Sequence, residues 1–132
     1  GGDSTWTSAY VAGTLQCDIP LQILNDLRVD SGGVVTHSLR LLTGMQLDVG
    51  DTLLVDGSID VSAKGLLGGP GGGGSNNLGE SYDPATGNIV WVTPSVSGGS
   101  HGGLGGTGYS PIYGSEADPW QLGAGGGGAG HS

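Results

Sequence analysis

The sequence of 132 residues has no phenylalanine, only three lysines and arginines together, and one cysteine, Cys17. The chain has twelve acidic residues against these three basic ones, and its net charge is −9. Nucleic-acid binding is therefore not expected, because Lys and Arg side chains are needed to neutralise the phosphates. Cys17 cannot form an internal disulfide and lies among apolar residues, which indicates a small buried side chain; an intermolecular disulfide is the alternative. No apolar run approaches the roughly 18 residues of a membrane-spanning helix, so we expect no membrane insertion.

Helical periodicity is absent as well, and so is an initiator methionine. The chain begins at Gly1 with no signal peptide, which indicates a processed or excised chain whose export signal would be lost. Its length fits one domain.

Glycine is unevenly distributed, with nine of the 31 in residues 1–65 and 22 in residues 66–132. Residues 1–65 can therefore build a core of Leu, Val and Ile, whereas residues 66–132 cannot build a conventional one.

Residues 45–65 show the clearest pattern in the chain, an alternation of apolar and polar residues that predicts strands with one apolar face. Two groups of turn residues, Gly50-Asp51 and Asp56-Gly57-Ser58, divide this alternation into three short strands. Three strands with bends between them, all facing one interior, describe one coil of a right-handed parallel β-helix.

The preceding segment repeats this order of strands and bends. Residues 21 and 23 lie 24 before 45 and 47, residues 27 and 29 lie 26 before 53 and 55, and residues 35 and 37 lie 24 before 59 and 61. An antiparallel β-sandwich would show the same alternation, but the repeat and the lack of clear two-residue hairpin turns favour the coil. The residues expected to face inwards are Leu21, Ile23, Leu27, Val29, Met45, Leu47, Val49, Leu53, Val55, Ile59 and Val61.

The sequence thus predicts an all-β chain of two regions. Residues 1–65 form β-helix coils with an N-terminal cap, although the weak alternation at residues 6–10 could also be an incomplete first coil. Residues 66–132 form a Gly-rich, extended, helix-free region packed on the coils or on neighbouring subunits. The apolar run at 39–44 is expected to fill the third side of a coil or a bend.

Within the Gly-rich region, residues 88–93 are the one strand candidate, and residues 75–88 form a polar loop with turn signals at Asp83-Pro84 and Thr86-Gly87. Without Cβ atoms, extended glycine segments can lie side by side with their backbones nearly in contact. The aromatic residues expected to fill the gaps are Tyr82, Trp91, Tyr109, Tyr113 and Trp120.

Three strings between residue 57 and the end of the chain carry a resemblance to a known class of proteins. GSIDVSAKGLLGG is followed by a Gly-rich tract, then by SGGSHGGLGG and by IYGSEADPWQLGAGGGG. In this order they resemble the Gly-rich β-helix modules of very large secreted or surface proteins of bacteria, over about residues 27–132. The resemblance implies an extracellular or cell-surface location and a structural or adhesive role, and it supplies no catalytic residues. His101 stands where the resembled pattern has tyrosine.

Asp30 and Asp56 are the candidate metal ligands, because the 26-residue offset places them one coil apart. Stacked carboxylates repel each other and attract a cation that prefers oxygen ligands, such as Ca²⁺. The alternative is that both are bend residues chosen for turn geometry and solubility. The Asp-containing calcium repeat of other β-helices is not met, because residues 102–107 have no Asp at the required position. Calcium is the one cofactor that the sequence leaves open.

No residues are spaced for catalysis, so the sequence predicts that the chain is not an enzyme. The histidines His37, His101 and His131 lack the spacing of transition-metal ligands. Glycan hydrolases and lyases need paired carboxylates or a base beside a bound cation. The bases Arg28, Arg40 and Lys64 lie outside any acidic cluster, and the carboxylate pairs Glu80 with Asp83 and Glu116 with Asp118 lie in loops beside Pro or Gly.

Two functions from different classes remain. The chain is expected to be a structural subunit of an extracellular fibre or matrix that self-assembles through open β-helix ends and Gly-rich surfaces, with itself as the partner. The alternative is a carbohydrate- or surface-binding adhesin module that uses exposed Trp and Tyr side chains to contact cell-surface glycans. A polysaccharide lyase-like β-helix is a distant third.

Overall fold

A computed structural model of the chain describes residues 4–69, 78–93, 97–106, 111–117 and 120–128. The chain divides into two compact units, Gly1–Lys64 and Gly65–Ser132. The described residues contain eleven strands and no helix, with parallel pairing throughout the first unit, which confirms an all-β chain with parallel sheets. An antiparallel sandwich is therefore not the fold of the first unit.

The first unit consists of three rows of three short strands. The first row is β1 (Ser4–Trp6), β2 (Ala9–Val11) and β3 (Thr14–Gln16); the middle row is β4 (Leu21–Ile23), β5 (Leu27–Val29) and β6 (Val34–Thr36); the last row is β7 (Leu47–Val49), β8 (Leu53–Val55) and β9 (Ser58–Ile59). Every third strand enters the same parallel sheet. The first sheet is β1-β4-β7, the second is β2-β5-β8 and the third is β3-β6-β9. The segment expected to be a cap or an incomplete first coil thus contributes a full row of strands.

The register confirms two of the three expected offsets and corrects the third. Leu27 pairs with Leu53 at an offset of 26, and Val35 pairs with Ile59 at an offset of 24. In the first sheet, however, Leu21 pairs with Leu47 rather than with Met45, so the predicted offset of 24 was wrong and the observed one is 26. Met45 precedes β7 and packs, half-buried, against the core.

The physical reason for this shift lies in residues 39–44, which form a surface turn, the bend that was one of the two expectations for this run. The amide of Gly44 donates to the carbonyl of Leu41 over 2.8 Å, and Arg40 and Gly44 have φ angles of 57° and 69°. Leu39 and Leu42 are exposed. Because this turn takes up residues before β7, the strand begins later than the alternation alone suggests.

The core lies between the three sheets, and the middle row contributes its best-buried part. Ile23, Leu27, Val29 and Val35 are fully buried there. Burial of such a side chain contributes about 1.5–3 kcal/mol. Leu21, Val11 and Cys17 complete the buried cluster, which confirms the inward orientation of the first four apolar residues predicted to face the interior.

The last row differs from the middle row in burial although it occupies the same register. Leu53, Val55, Ile59 and Val61, all expected in the interior, are 46%, 39%, 39% and 48% exposed. Leu53, Val55 and Ile59 are the register partners of buried residues of the middle row. The expected burial was wrong because each row covers its apolar side chains only together with the rows beside it, and no further strand pairs with the last row among the described residues.

The second unit contains one antiparallel pair, β10 (Gly79–Tyr82) and β11 (Ile89–Thr93). The strand predicted at 88–93 is confirmed, and its partner β10 lies inside the segment that the sequence assigned to a polar loop. The turn between them is the predicted one. The backbone amide of Ala85 and the hydroxyl of Thr86 each donate to the carboxylate of Asp83 over 2.9 Å, and Gly87 has a φ of 70°.

Close contacts between glycine backbones organise the rest of this unit, as the composition suggested. A Cβ atom on Gly125 would lie 1.9 Å from the carbonyl oxygen of Leu67, and one on Gly79 would lie 2.3 Å from that of Gly125. Backbone hydrogen bonds run through the same contacts, from Glu80 to Leu67 over 2.8 Å and from Gly125 to Glu80 over 2.9 Å. No side chain fits between these segments, so hydrogen bonding between main chains offsets the entropy of ordering glycine.

The aromatic residues fill gaps only in part. Tyr82 and Tyr113 are buried with ring centroids 5.0 Å apart, and His101 meets Tyr113 edge-on at 5.1 Å. The prediction was wrong for Trp91 and Trp120, which are exposed. Tyr109 lies outside the described residues. Segments whose backbones pack in direct contact form no cavity large enough for an indole ring, so the two tryptophans lie at the surface.

Val29 and Val55 offer a matched test of the difference between the rows, because they are register partners in adjacent strands. We expect Val29→Ala to lower the free energy of unfolding by about 2 kcal/mol, through lost apolar burial and a residual cavity. Val55→Ala should cost less than about 1 kcal/mol because that side chain is already partly in water. Urea denaturation followed by circular dichroism at low protein concentration measures both. Equal losses would contradict the described burial.

Gly125 and Gly123 form a second matched pair, in the Gly-rich unit. Gly125→Ala should destabilise this unit by about 3 kcal/mol, because the added methyl group would collide with the rigid backbone of Leu67. Gly123→Ala should be neutral or stabilising by up to about 1 kcal/mol, since no atom lies within 4 Å of its Cβ position. Thermal unfolding followed by near-ultraviolet circular dichroism compares the two. Similar losses for both variants would refute the backbone-contact account.

Candidate functional site

Asp30 and Asp56, the predicted calcium ligands, both contact one guanidinium group. The Nη2 atom of Arg28 lies 3.4 Å from Oδ1 of Asp30 and 3.4 Å from Oδ2 of Asp56. The hydroxyl of Tyr10 donates to Oδ2 of Asp30, and Arg28 lies over the Tyr10 ring with Cζ 5.9 Å from its centroid. The two aspartates directly follow the register partners Val29 and Val55, and Arg28 places positive charge beside both carboxylates. Calcium binding here stays a prediction.

The electrostatics of this cluster follow from its hydrogen bonds. The Tyr10 hydroxyl, and to a lesser extent Arg28, lower the pKa of Asp30. The same hydrogen bond raises the pKa of Tyr10, because the carboxylate disfavours a phenolate beside it. All these side chains are close to solvent, so the ion pairs contribute little to stability. The cluster links the first, middle and last rows on the outer face of the second sheet.

Asp18 forms a second link between rows. Its Oδ1 accepts the backbone amide of Ser38 over 2.6 Å, and its Oδ2 accepts the Ser38 hydroxyl and the Gln16 amide, each over 2.6 Å. These bonds lower the pKa of the Asp18 carboxyl, the Ser38 hydroxyl most of all. The carboxylate thus joins the end of the first row to the bend after the middle row.

The structure describes two of the three histidines, one in each unit. His37 is buried, and its Nδ1 lies 2.8 Å from the carbonyl oxygen of Ser38. His101 belongs to the second unit, where its Nε2 lies 3.1 Å from the carbonyl oxygen of Gln121. His131 lies outside the described residues. Among the residues that are described, no three His, Cys, Asp or Glu side chains form a group that could hold a metal ion.

Two of the four acidic residues singled out in the second unit, Glu80 and Asp83, accept hydrogen bonds from backbone amides. Glu80 is buried, and its Oε2 accepts the amide of Leu67 over 3.0 Å. The carboxylate of Asp83 accepts from the turn that follows β10, and the Ala85 amide lowers its pKa. Glu116 is exposed, and Asp118 lies outside the described residues. Burial raises the pKa of the Tyr113 phenol, whose hydroxyl donates to the carbonyl of Leu122 over 2.6 Å.

A groove of about 540 Å³ lies on the first sheet, and sequence reasoning missed it. Thr5, Gln22 and Asp48 are register partners that occupy the outward position of the three strands. Their offsets of 17 and 26 residues differ, so only the strand register reveals that they line up. The residues that line the groove are Thr5, Pro20, Leu21, Gln22, Met45, Gln46, Leu47 and Asp48.

The two outer rows present apolar side chains at their free sides. We name the exposed inward side chains of the last row, Leu53, Val55 and Ile59, the last-row face. In the first row, Trp6 is the register partner of Ile23 and is 43% exposed. It borders a cavity of about 120 Å³, the first-row cavity, lined by Ser4, Trp6, Leu15, Gln16, Cys17, Ile19 and Leu21. Burial raises the pKa of the Cys17 thiol in this setting.

The sequence matches no protein-family model, no curated protein and no solved structure. Within the described ranges, the chain has no helix long and apolar enough to cross a membrane. The proposal on function therefore rests on the geometry of the first unit.

The hydrogen bonds that Asp18 accepts from Ser38 and Gln16 predict that the stability of the fold depends on pH. Because the folded-state pKa is lowered, the carboxylate stabilises the fold above its unfolded pKa of about 4, and that contribution disappears as the pH falls through the folded value. Asp18→Asn should thus lower stability at pH 7 and flatten the loss of stability below about pH 4. Urea midpoints across this range measure the effect. Asp26→Asn serves as the control, since Asp26 is exposed and its carboxylate makes no hydrogen bond to the described residues. The same flattening in both variants would contradict the assignment.

Proposed function

We propose that the chain is a structural subunit of an extracellular fibre or matrix, and that copies associate end to end through the outer rows of the first unit. We also propose that this unit is a short right-handed parallel β-helix. Support for the β-helix comes from the order of the sheets, each of which takes every third strand. Successive rows then correspond to successive coils, and the last-row face is the end of the solenoid.

The single observation that carries the proposal is the contrast between register partners. Leu27, Val29 and Val35 are fully buried, whereas Leu53, Val55 and Ile59 directly beside them in the same sheets are 39–46% exposed. Repeats of this kind bury apolar residues only against neighbouring repeats. A further row on the last-row face would remove these side chains from water at about 25 cal/mol for each Å².

The strand edges point to the same kind of partner. In the described residues, β7, β8 and β9 each pair on one side only, with β4, β5 and β6. Unpaired N–H and C=O groups at a strand edge act as a template for another strand. The internal contact between the middle and last rows shows the form such a contact takes: three parallel strand pairs around one apolar interior.

A head-to-tail contact continues all three sheets. In that arrangement, the first row of one copy adds to the last row of another, with the same strand direction as inside the chain. The first-row cavity, bordered by Trp6 and Cys17, provides space for an apolar side chain from the last-row face. A heterologous contact of this kind does not close on itself and generates a filament. Gly-rich surfaces of the second unit are a further contact in the proposed fibre.

The adhesin alternative is favoured by one observation, the exposure of Trp120, a residue that is 66% accessible. An exposed indole can stack on the apolar face of a sugar ring. Tyr10 is less suited to this role, although it is also exposed, because Arg28 lies over its ring and Asp30 holds its hydroxyl. The exposure of inward apolar side chains in the last row involves more residues than the exposure of one tryptophan, so fibre formation remains the preferred function.

Engineered disulfides test both the association and its polarity. Thr14 and Ser58 are outward residues at corresponding positions of the third sheet, each the register partner of Val34. Within one chain they are two strands apart, about 9–10 Å, too far for a disulfide. Between head-to-tail copies they would be about 4.8 Å apart, which a disulfide spans. The double variant Thr14→Cys/Ser58→Cys, in a Cys17→Ala background, should therefore form a ladder of multimers on a non-reducing gel.

The single variants are the controls for this experiment. Neither Thr14→Cys nor Ser58→Cys alone should crosslink beyond the slow rate of random collision. Rapid crosslinking of Ser58→Cys alone would show that last rows meet each other, which contradicts head-to-tail polarity. No crosslinking of any variant, together with a monomer by light scattering at all concentrations, would overturn the fibre proposal.

A charge on the last-row face should abolish association. Val55→Asp places a carboxylate at an inward position that a neighbouring copy would bury without a partner, at a cost of several kcal/mol. The matched control is Leu54→Asp, on the same strand, because Leu54 pairs with Arg28 at the outward position and is exposed. Light scattering should show association of the control and not of Val55→Asp. Association of both variants would remove the last-row face from the interface.

A further inference from the structure

We propose that the groove on the first sheet binds a neutral, hydroxyl-rich ligand of oligosaccharide size. This proposal does not depend on end-to-end association, because every residue that lines the groove belongs to one copy. The volume of about 540 Å³ falls within the range of roughly 300–1,000 Å³ that is typical of small-molecule sites. It also uses none of the aromatic side chains on which the adhesin alternative rests.

The central part of the groove is a row of polar side chains with unused hydrogen-bonding capacity. Thr5, Gln22 and Asp48 lie on three adjacent strands, about 4.8 Å apart from one strand to the next. None of the three side chains makes a hydrogen bond to the part of the chain that the structure describes. The row therefore offers a hydroxyl, a primary amide and a carboxylate to a ligand, in a direction that crosses the strands.

The residues around this row give the groove an apolar wall and a fourth polar group. Pro20 and Gln46 precede β4 and β7, and Met45 packs half-buried against the core beside them. The Nε2 atom of Gln46 donates to the carbonyl of Thr43 over 3.4 Å, a long bond that still orients the amide. Apolar surface with a few polar groups is the usual composition of a ligand site.

The charge of the lining selects the chemical class of the ligand. Asp48 is the only ionisable residue among the eight, and as a carboxylate it only accepts hydrogen bonds. Arg28, which could attract an anion, lies on the second sheet with Asp30 and Asp56. An acidic ligand would meet an unpaired negative charge. A sugar hydroxyl, by contrast, can donate to Asp48 and can both donate to and accept from Gln22.

Nuclear magnetic resonance titration of the full chain tests the proposal. The probes are cellotetraose, maltotetraose and tetra-N-acetylchitotetraose, each up to about 10 mM so that sites with a Kd near 1 mM are detected. Tetragalacturonate is the anionic comparison. We expect saturable shifts of backbone amides at residues 5, 22 and 45–48 with at least one neutral probe, and no saturable shift with tetragalacturonate.

Variants separate the groove from other surfaces. Gln22→Ala should weaken binding of the active probe by about three- to tenfold, the worth of one or two lost hydrogen bonds. Asp26→Asn, at an exposed residue whose side chain makes no hydrogen bond to the described residues, should leave the affinity unchanged. Absence of saturable shifts with all neutral probes would overturn the proposal. Shifts confined to the surroundings of Trp120, or equal binding of tetragalacturonate, would overturn it as well.

Discussion

The first unit depends on one constraint: each row of strands buries its apolar side chains only against the rows beside it. Leu27, Val29 and Val35 are fully buried because they have a row on each side. The same inward positions in the last row remain partly in water. Burial, strand pairing and the outward polar rows all follow from this stacking, and so does the proposal that another copy completes it.

A different constraint organises the second unit, the absence of side chains at the points of contact. The backbones around Gly79, Gly125 and Leu67 approach so closely that a methyl group would collide with a carbonyl oxygen. Hydrogen bonds between main chains, with the carboxylate of Glu80 among them, take the place of an apolar core. The buried cluster of Tyr82, Tyr113, Leu66 and Leu122 adds apolar burial to this arrangement.

Particular residues show how far the sequence predicts this structure. The alternation at Met45, Leu47 and Val49 correctly indicates an inward face, but all three have the same parity, so alternation cannot tell where β7 begins. The sequence left the first row undecided between an incomplete coil and a cap, because its offsets to the middle row are 17, 18 and 20 residues, shorter than the 24 to 26 of the next repeat. β10 escaped detection because side-chain alternation carries no signal where all four residues are buried. The groove needs the register itself, since Thr5, Gln22 and Asp48 have no common spacing.

The central claim, that another copy covers the last-row face, is tested most directly by hydrogen exchange at a series of protein concentrations. Amides in strands that gain a neighbour become protected, whereas amides already inside the stack do not change. The account predicts that exchange in β7, β8, β9 and in the first row slows as concentration rises, while β4, β5 and β6 keep the same rates. Exchange rates in the outer rows that stay independent of concentration would contradict it.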